Sequence, residues 1–509
     1  MRYGFAIDQR TCIGCHACTV ACKTEHEIPV GQFRTWVKYV DKGTFPSTTR
    51  EFSVMRCNHC TDAPCTKICP TNALFTREDG IVDFDRDSCI GCKSCMQACP
   101  YDAIYIDAES NTAAKCNFCA HRVDSGMEPA CVVVCPTHSI WVGDLDDPES
   151  GISKLINSEP TAVRAPEQGT GPNVFYLGAD RATLDPLAAP ADESYIYADP
   201  DPQRAATAGE LPGDPSTGAR TTLNTAHPRP WGWRVTTYLW TKGVGAGAMA
   251  LAALARFVGI DLGALGTIAA PVLGLLGTLT TAVLLIWDLK RPERFLYILT
   301  RPNPRSWLFL GALALAAFAG VCALWLGAEL LRITGALDAA DAAVTMDVLA
   351  WPVIPAAAMA AGYTAFLFGQ AQGRNLWQSP LLFWHLLVQA MMVGAGALLA
   401  LGGASSDGAT RQLLGTTLVL ATAVHVLMLL LEYRGRHSGA NAATAAHMVT
   451  HGRYARTFWL GSVGLAGFAA LLALPGIAAL LLISGVLVQI ALLAYESVFV
   501  RAGQDVPLS

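Results

Sequence analysis

Sixteen of the 17 cysteines in this chain precede Val142, and they fall into four tight groups. These are Cys12, Cys15, Cys18 and Cys22; Cys57, Cys60, Cys65 and Cys69; Cys89, Cys92, Cys95 and Cys99; and Cys116, Cys119, Cys131 and Cys135. Disulfides of a secreted scaffold would be spread more widely, and structural zinc favours two C-x2-C pairs across a spacer, often completed by histidine. The first and third groups instead read C-x2-C-x2-C-x3-C. In that spacing three thiolates wrap one iron-sulfur cubane from a tight loop, and the fourth, on the following helix, reaches another cluster. The early chain is therefore expected to fold around four cubanes.

Proline follows the last cysteine of three groups, at Pro70, Pro100 and Pro136, as in bacterial ferredoxins; Lys23 takes its place in the first. Exchange of the fourth ligand pairs the first group with the fourth and the second with the third. One cluster then takes Cys12, Cys15, Cys18 and Cys135, and its neighbour Cys116, Cys119, Cys131 and Cys22. The other two take Cys57, Cys60, Cys65 and Cys99, and Cys89, Cys92, Cys95 and Cys69. With every iron held by protein, such a set is an electron wire with no open position for substrate.

The 509 residues divide into unlike parts. Residues 1–147 read as an α+β ferredoxin-like domain, with strand-like pieces at Gly80–Phe84 and Ala103–Ile106. Residues 148–230 are rich in Pro, Ala, Gly and Asp and read as an extension and linker, with one strand-like stretch, Asn173–Leu177, expected to dock on the cluster domain. Residues 231–509 read as an all-α bundle of eight transmembrane helices. The apolar runs are Tyr238–Ile260, Gly263–Trp287, Trp307–Leu331, Val348–Gly369, Leu381–Leu401, Leu413–Leu431, Phe458–Leu474 and Ile477–Val500. Each is near the ~20 residues that span a bilayer. The start of the chain shows neither a signal-peptide core nor a twin arginine. A net charge of -5 without a basic, aromatic-laced stripe excludes nucleic acid as a partner.

Eight spans put the cluster domain on the side of Lys290, Arg291, Arg294, Arg301, Arg305, Arg374, Arg434, Arg436, Arg453 and Arg456, opposite Asp261, Asp338, Asp341, Asp347 and Asp407. The positive-inside rule makes that side cytoplasmic, in a multi-pass protein of the cell membrane. A competing use for some of these arginines is the cluster interface. Ionisable groups within the spans concentrate on the same side: Lys242, Asp288, His385, His425, Glu432 and Glu496, with Gln389. A quinone, taking two electrons and two protons, needs hydrogen-bond donors and a proton relay close to the last cluster. Lys242, Asp288, Arg291, Arg294, His385 and Gln389 are the candidate quinone site. The plain alternatives are snorkelling for Lys242 and a solvated helix end for Asp288, Arg291 and Arg294. His385 and His425 could instead ligate one haem b, although no haem is expected. Glu329 and Arg332 read as an interfacial ion pair, and Cys322 as a small core residue.

The stretches CNHCTDAPCTKICPTNALFTREDGIVDFDRDSCIGCKSCMQACPYDA and KCNFCAHRVDSGMEPACVVVCPTHSI resemble the four-cluster electron-transfer subunits of complex molybdopterin oxidoreductases, such as the dimethyl sulfoxide, polysulfide and formate enzymes. In nitrate reductase relatives a tryptophan replaces one cysteine of the third group and leaves a three-iron cluster; that group is complete here, which implies four 4Fe-4S clusters. WGWRVTTYLWTKGVGAGAMA and WDLKRPERFLYIL resemble the NrfD-like, polysulfide reductase-type membrane anchor. The two resemblances together imply a relay between a molybdopterin-type catalytic subunit and menaquinone or ubiquinone. A conduit for a hydrogenase, and a part of a quinol-oxidising, ion-translocating complex, are the alternatives.

Overall fold

The computed structural model describes residues 1–190, 210–213, 215–226 and 228–509. Its first strand, Tyr3–Asp8, is buried from Gly4 onward because both of its faces are covered. Phe5 and Ile7 pack with Cys18, Val37, Phe118 and Cys131, while Ala6 meets Ile152 and Leu177 on the other side. The sheet around it runs Ile140–Asp144, Tyr3–Asp8, Val174–Leu177, Thr161–Ala162. Val174–Leu177 lies parallel to the first strand, Phe5 opposite Val174, so the stretch expected to dock on the cluster domain does so. The two other expected strands form Val82–Phe84, paired with Leu74–Thr76, and Tyr105–Ile106, paired with Ala113–Ala114.

The linker reading of the following region needs correction. Gly151–Ser158 is a helix, its Ser150 cap accepting the Ser153 N–H at 3.2 Å. Ile152, Leu155 and Ile156 recur at helical spacing and pack on the first sheet. Arg220–Leu223 adds an edge strand to the hairpin Thr35–Thr44 and Ser47–Arg56. The Pro- and Ala-rich composition masked these short elements. The rest of that reading, over residues 191–209, lies outside the described residues.

Each of the eight apolar runs carries a long helix: Trp233–Phe257, Leu265–Asp288, Trp307–Ile333, Ala339–Gln370, Leu382–Ala400, Gly408–Arg434, Thr457–Ala473 and Ala478–Asp505. Six of these, all but the first and seventh, are long and apolar enough to cross a membrane. The seventh is short. The first falls below the hydropathy of the others for a structural reason: it is the hub, packed against the second, fourth, fifth and eighth, so its polar side chains face protein rather than lipid. Small residues allow that packing. A Cβ on Gly247 would lie 1.8 Å from the Ala390 carbonyl oxygen, where the first helix crosses the fifth.

The cluster domain sits on one end of this bundle. The segment after the second helix runs along the third cysteine loop, with Lys290 N–H donating to Gly91 O at 3.1 Å and Arg291 N–H to Ile90 O at 3.2 Å. Arg294 donates to the carbonyls of Arg86 and Cys89, and Arg301 to Ser88. Asn303 reaches Cys69 O at 2.8 Å, and Arg374 reaches Gln97 Oε1 at 2.8 Å. Four of the arginines counted for orientation therefore bind the cluster domain.

Candidate cluster sites and membrane cleft

None of the 17 cysteines is in a disulfide. The fourth cysteine of each group stands among cysteines of another group. Cys22 lies within electrostatic reach of Cys116, Cys119 and Cys131, and Cys12 of Cys15 and Cys135. Cys99 neighbours Cys57 and Cys60, with Cys65 close to all three. Cys69 neighbours Cys89, Cys92 and Cys95, and these four wall one small cavity. Among the described residues no three His, Cys, Asp or Glu side chains close around a single metal ion. A mononuclear zinc site would need that closeness, whereas a cubane spreads its thiolates further apart.

The loops that carry the cysteines repeat one backbone conformation. Gly14 and His16 in the first group have φ of 69° and 60°, and Gly91 and Lys93 in the third have 68° and 65°. Left-handed turns of this kind coil the chain tightly around the three cysteines of each loop. Donors surround the sulfurs. Ala113 N–H lies 3.4 Å from Cys89 Sγ and Ser139 N–H 3.3 Å from Cys135 Sγ. The fully buried Arg56 donates to Cys131 Sγ at 3.3 Å, and its Nε and Nη2 have no protein acceptor. Buried donors without acceptors are costly alone, and an anionic cubane beside them would remove that cost. The residues present therefore fit 4Fe-4S clusters. Exposure differs between the groups: Cys15 is exposed, Cys12, Cys135 and Cys92 are half-buried, and the second group is wholly buried.

Beneath the third group an apolar cleft of about 370 Å³ opens between the first four long helices. Its wall includes Cys92 and Ser94 from the cluster loop, together with Trp231, Tyr238, Asp288, Leu285, Leu315 and Tyr363. Cys92 thus borders both this cleft and the cavity of its own cysteine set. Asp288 marks the polar end, its carboxylate 2.7 Å from Lys93 Nζ and 3.5 Å from Arg234 Nη1. Lys242 stands one side chain behind the wall. Its ammonium lies 4.4 Å from the centre of the Tyr363 ring, donates to Ala361 O at 2.8 Å and contacts the Thr364 hydroxyl.

The six candidate quinone residues are not brought together. Asp288 lines the cleft and Lys242 backs it. Arg291 donates to Ser110 O, in the turn between Tyr105–Ile106 and Ala113–Ala114, and Arg294 to Cys89 O of the third cysteine loop. His385 and Gln389 belong to a separate buried group on the fifth, sixth and eighth helices, where His385 Nε2 is 2.7 Å from His425 Nδ1 and both rings flank Tyr495. A haem held by this histidine pair would need its iron between two rings that here touch directly. Tyr238 and Tyr363, the two tyrosines of the cleft wall, escaped a search confined to charged groups and amides. Their signal was a tyrosine in the cluster-side half of each run.

Residues 221–507 match the family model described as polysulphide reductase, NrfD, and residues 48–145 match a 4Fe-4S dicluster domain. A tetrathionate reductase subunit of Salmonella typhimurium is 46% identical over 190 residues, 36% of this chain and 76% of that protein. A constituent polypeptide of the polysulfide reductase of Wolinella succinogenes is 41% identical over 187 residues, 36% of this chain and 98% of that protein. The arsenate respiratory reductase iron-sulfur subunit of a Shewanella species is 36% identical over 225 residues, 35% of this chain and 96% of that protein.

Proposed function

This protein belongs to the polysulphide reductase NrfD family, joined here to an iron-sulfur reductase subunit, and on that premise we propose that it relays electrons between a catalytic partner and membrane quinone. The observation that carries this reading is the position of Cys92, shared between a four-cysteine cavity and an apolar cleft within the bundle. Four 4Fe-4S clusters, held by the four exchanged cysteine sets, supply single-electron transfer. The first and seventh helices complete an eight-helix crossing, the first shielded from lipid by its neighbours.

Menaquinone or ubiquinone fits the cleft. Trp231, Leu285 and Leu315 would hold its ring, and the hydroxyl-bearing Ser94, Tyr238, Thr278 and Tyr363 of the wall would serve its carbonyls. Asp288, at the polar end and in contact with Lys93, delivers or takes up the protons that accompany the electrons. Lys242, when protonated, would place positive charge behind Tyr363 and favour the anionic form of a reduced ring. The direction of flow is set by the partner.

The partner is a molybdopterin-type catalytic subunit, as the similarity to tetrathionate, polysulfide and arsenate reductase subunits supports. Extraction from native membranes followed by metal analysis tests this. Molybdenum or tungsten with a large companion polypeptide is expected; nickel, or c-type haem with neither metal, would move the protein to a hydrogenase or a quinol-oxidising complex. The cluster domain faces the cytoplasm. Setting aside the arginines bound to the cluster domain, Lys290, Arg305, Arg434, Arg436, Arg453 and Arg456 on its side still outnumber Arg256, Arg332 and Arg411 at the other end.

A further inference from the structure

A cavity of about 980 Å³ lies where the cluster domain meets the ends of the first two long helices. Lys93, Arg229, Arg234, Lys290 and Arg374 line it, against only Asp102 and Asp288. Arg229 is paired with Asp505 at 2.9 Å and Arg374 with Asp102 at 3.5 Å. That leaves Lys93 and Arg234 sharing Asp288, and Lys290 without a carboxylate among the described residues. Arg234 Nε is buried and has no acceptor. Gly232, Trp233 and Arg234, the first turn of the first long helix, also line the cavity. Backbone N–H groups there have no intrahelical partner and carry the positive end of the helix dipole.

The rim is that of a membrane surface. Trp233 and Trp287 are 51% and 57% exposed, and their rings meet edge-on at 5.5 Å. The Arg234 guanidinium lies 4.6 Å from the Trp287 ring. Indoles and cations at the ends of membrane helices sit at headgroup level. From Trp287 the exposed Val283, Leu279 and Leu276 continue along one face of the second helix, a path for an acyl chain.

We propose that this cavity binds the phosphate of an anionic phospholipid, with Arg234, Lys93 and Lys290 around the phosphate and an acyl chain along the second helix. Free phosphate shares the headgroup chemistry but uses neither the tryptophans nor the apolar path. A neutral quinone ring leaves the surplus of Lys93, Arg234 and Lys290 over Asp288 unanswered. Lys93 comes from the cluster loop and Lys290 from the membrane loop, so a bound lipid fastens the two domains together.

The test uses the full-length, cluster-loaded protein, delipidated in detergent and titrated with dioctanoyl phosphatidylglycerol, dioctanoyl phosphatidylcholine or inorganic phosphate under native mass spectrometry. Phosphatidylglycerol is expected to bind at least about tenfold more tightly than the other two. Lys290→Gln is expected to weaken it about fivefold, and Arg234→Gln with Lys290→Gln about 30-fold, at unchanged iron content. Should the double variant lose iron, Lys290→Gln alone decides, because that side chain pairs with no carboxylate among the described residues. Equal binding of the two lipids, or unchanged binding in the variants, overturns the site; inorganic phosphate matching phosphatidylglycerol overturns the lipid. Quinone turnover is not read, so failure here leaves the relay reading untouched.

Discussion

Cys99 belongs by sequence to the third group and by position to the second, beside Cys57 and Cys60. Cys99→Ser is therefore expected to damage the cluster of Cys57, Cys60 and Cys65 and to spare that of Cys89, Cys92 and Cys95. Paramagnetic resonance of the reduced protein reads this; loss of the third-group signal instead would mean that no ligand is exchanged. Arg56 donates to Cys131 Sγ from a fully buried position, and hydrogen bonds and positive charge near a cluster raise its potential. Arg56 also stands near Cys116 and Cys18, so Arg56→Gln should shift the potentials of the first- and fourth-group clusters to more negative values in a redox titration and leave the distant third-group cluster unmoved. For Asp288→Asn, quinone-dependent turnover should fall about 100-fold, with cluster content retained and the pH profile changed. A fall in turnover without a change in the pH profile would make Asp288 a structural partner of Lys93 only. The grouping of the fourth cysteine of each set with cysteines of another set was legible in the spacing. The quinone residues were less so, because distance from the last cluster decides them and the sequence gives depth along a helix but not which face is turned to the cleft.

At the scale of elements, periodicity and length located the eight long helices, whereas composition misled over residues 148–190. There Gly151–Ser158 has too few residues for its apolar face to stand out from the surrounding Pro and Ala. The first long helix shows a related effect, since Lys242 and three threonines lower its hydropathy although the helix is the hub of the bundle. Its crossing with the fifth helix has no room for a side chain at Gly247. Gly247→Leu should prevent assembly of the bundle, read as loss of full-length protein from the membrane fraction; normal accumulation would contradict that packing. Gly91 meets Lys290 in the same way at the domain seam, where an added Cβ would fall 2.6 Å from Lys290 Cβ.

At the scale of the molecule, the cluster domain has one end at the surface, at Cys15, and the other at the membrane cleft, at Cys92. That polarity suits the proposed relay, in which a partner would meet the surface end and quinone the end at the cleft. The sequence revealed both domains and offered the seam only as an alternative use for some arginines; it could not say which, because Arg291, Arg294, Arg301 and Arg374 look in a sequence like ordinary cytoplasmic anchors. Orientation is open to direct test. A protease site inserted at Gly335 should be cut only from outside the cell and one at His437 only from inside, and the reverse pattern would place the clusters outside.

The central claim is that electrons pass between the third-group cluster and quinone in the cleft. Stopped-flow mixing of the reduced, cluster-loaded protein with a water-soluble menaquinone analogue tests it most directly, with Ala316→Trp, which fills the cleft wall, alongside. Rapid reoxidation of the clusters is predicted in the parent protein, and reoxidation slowed at least about tenfold in the variant. Equal rates in the two would show that quinone takes its electrons elsewhere.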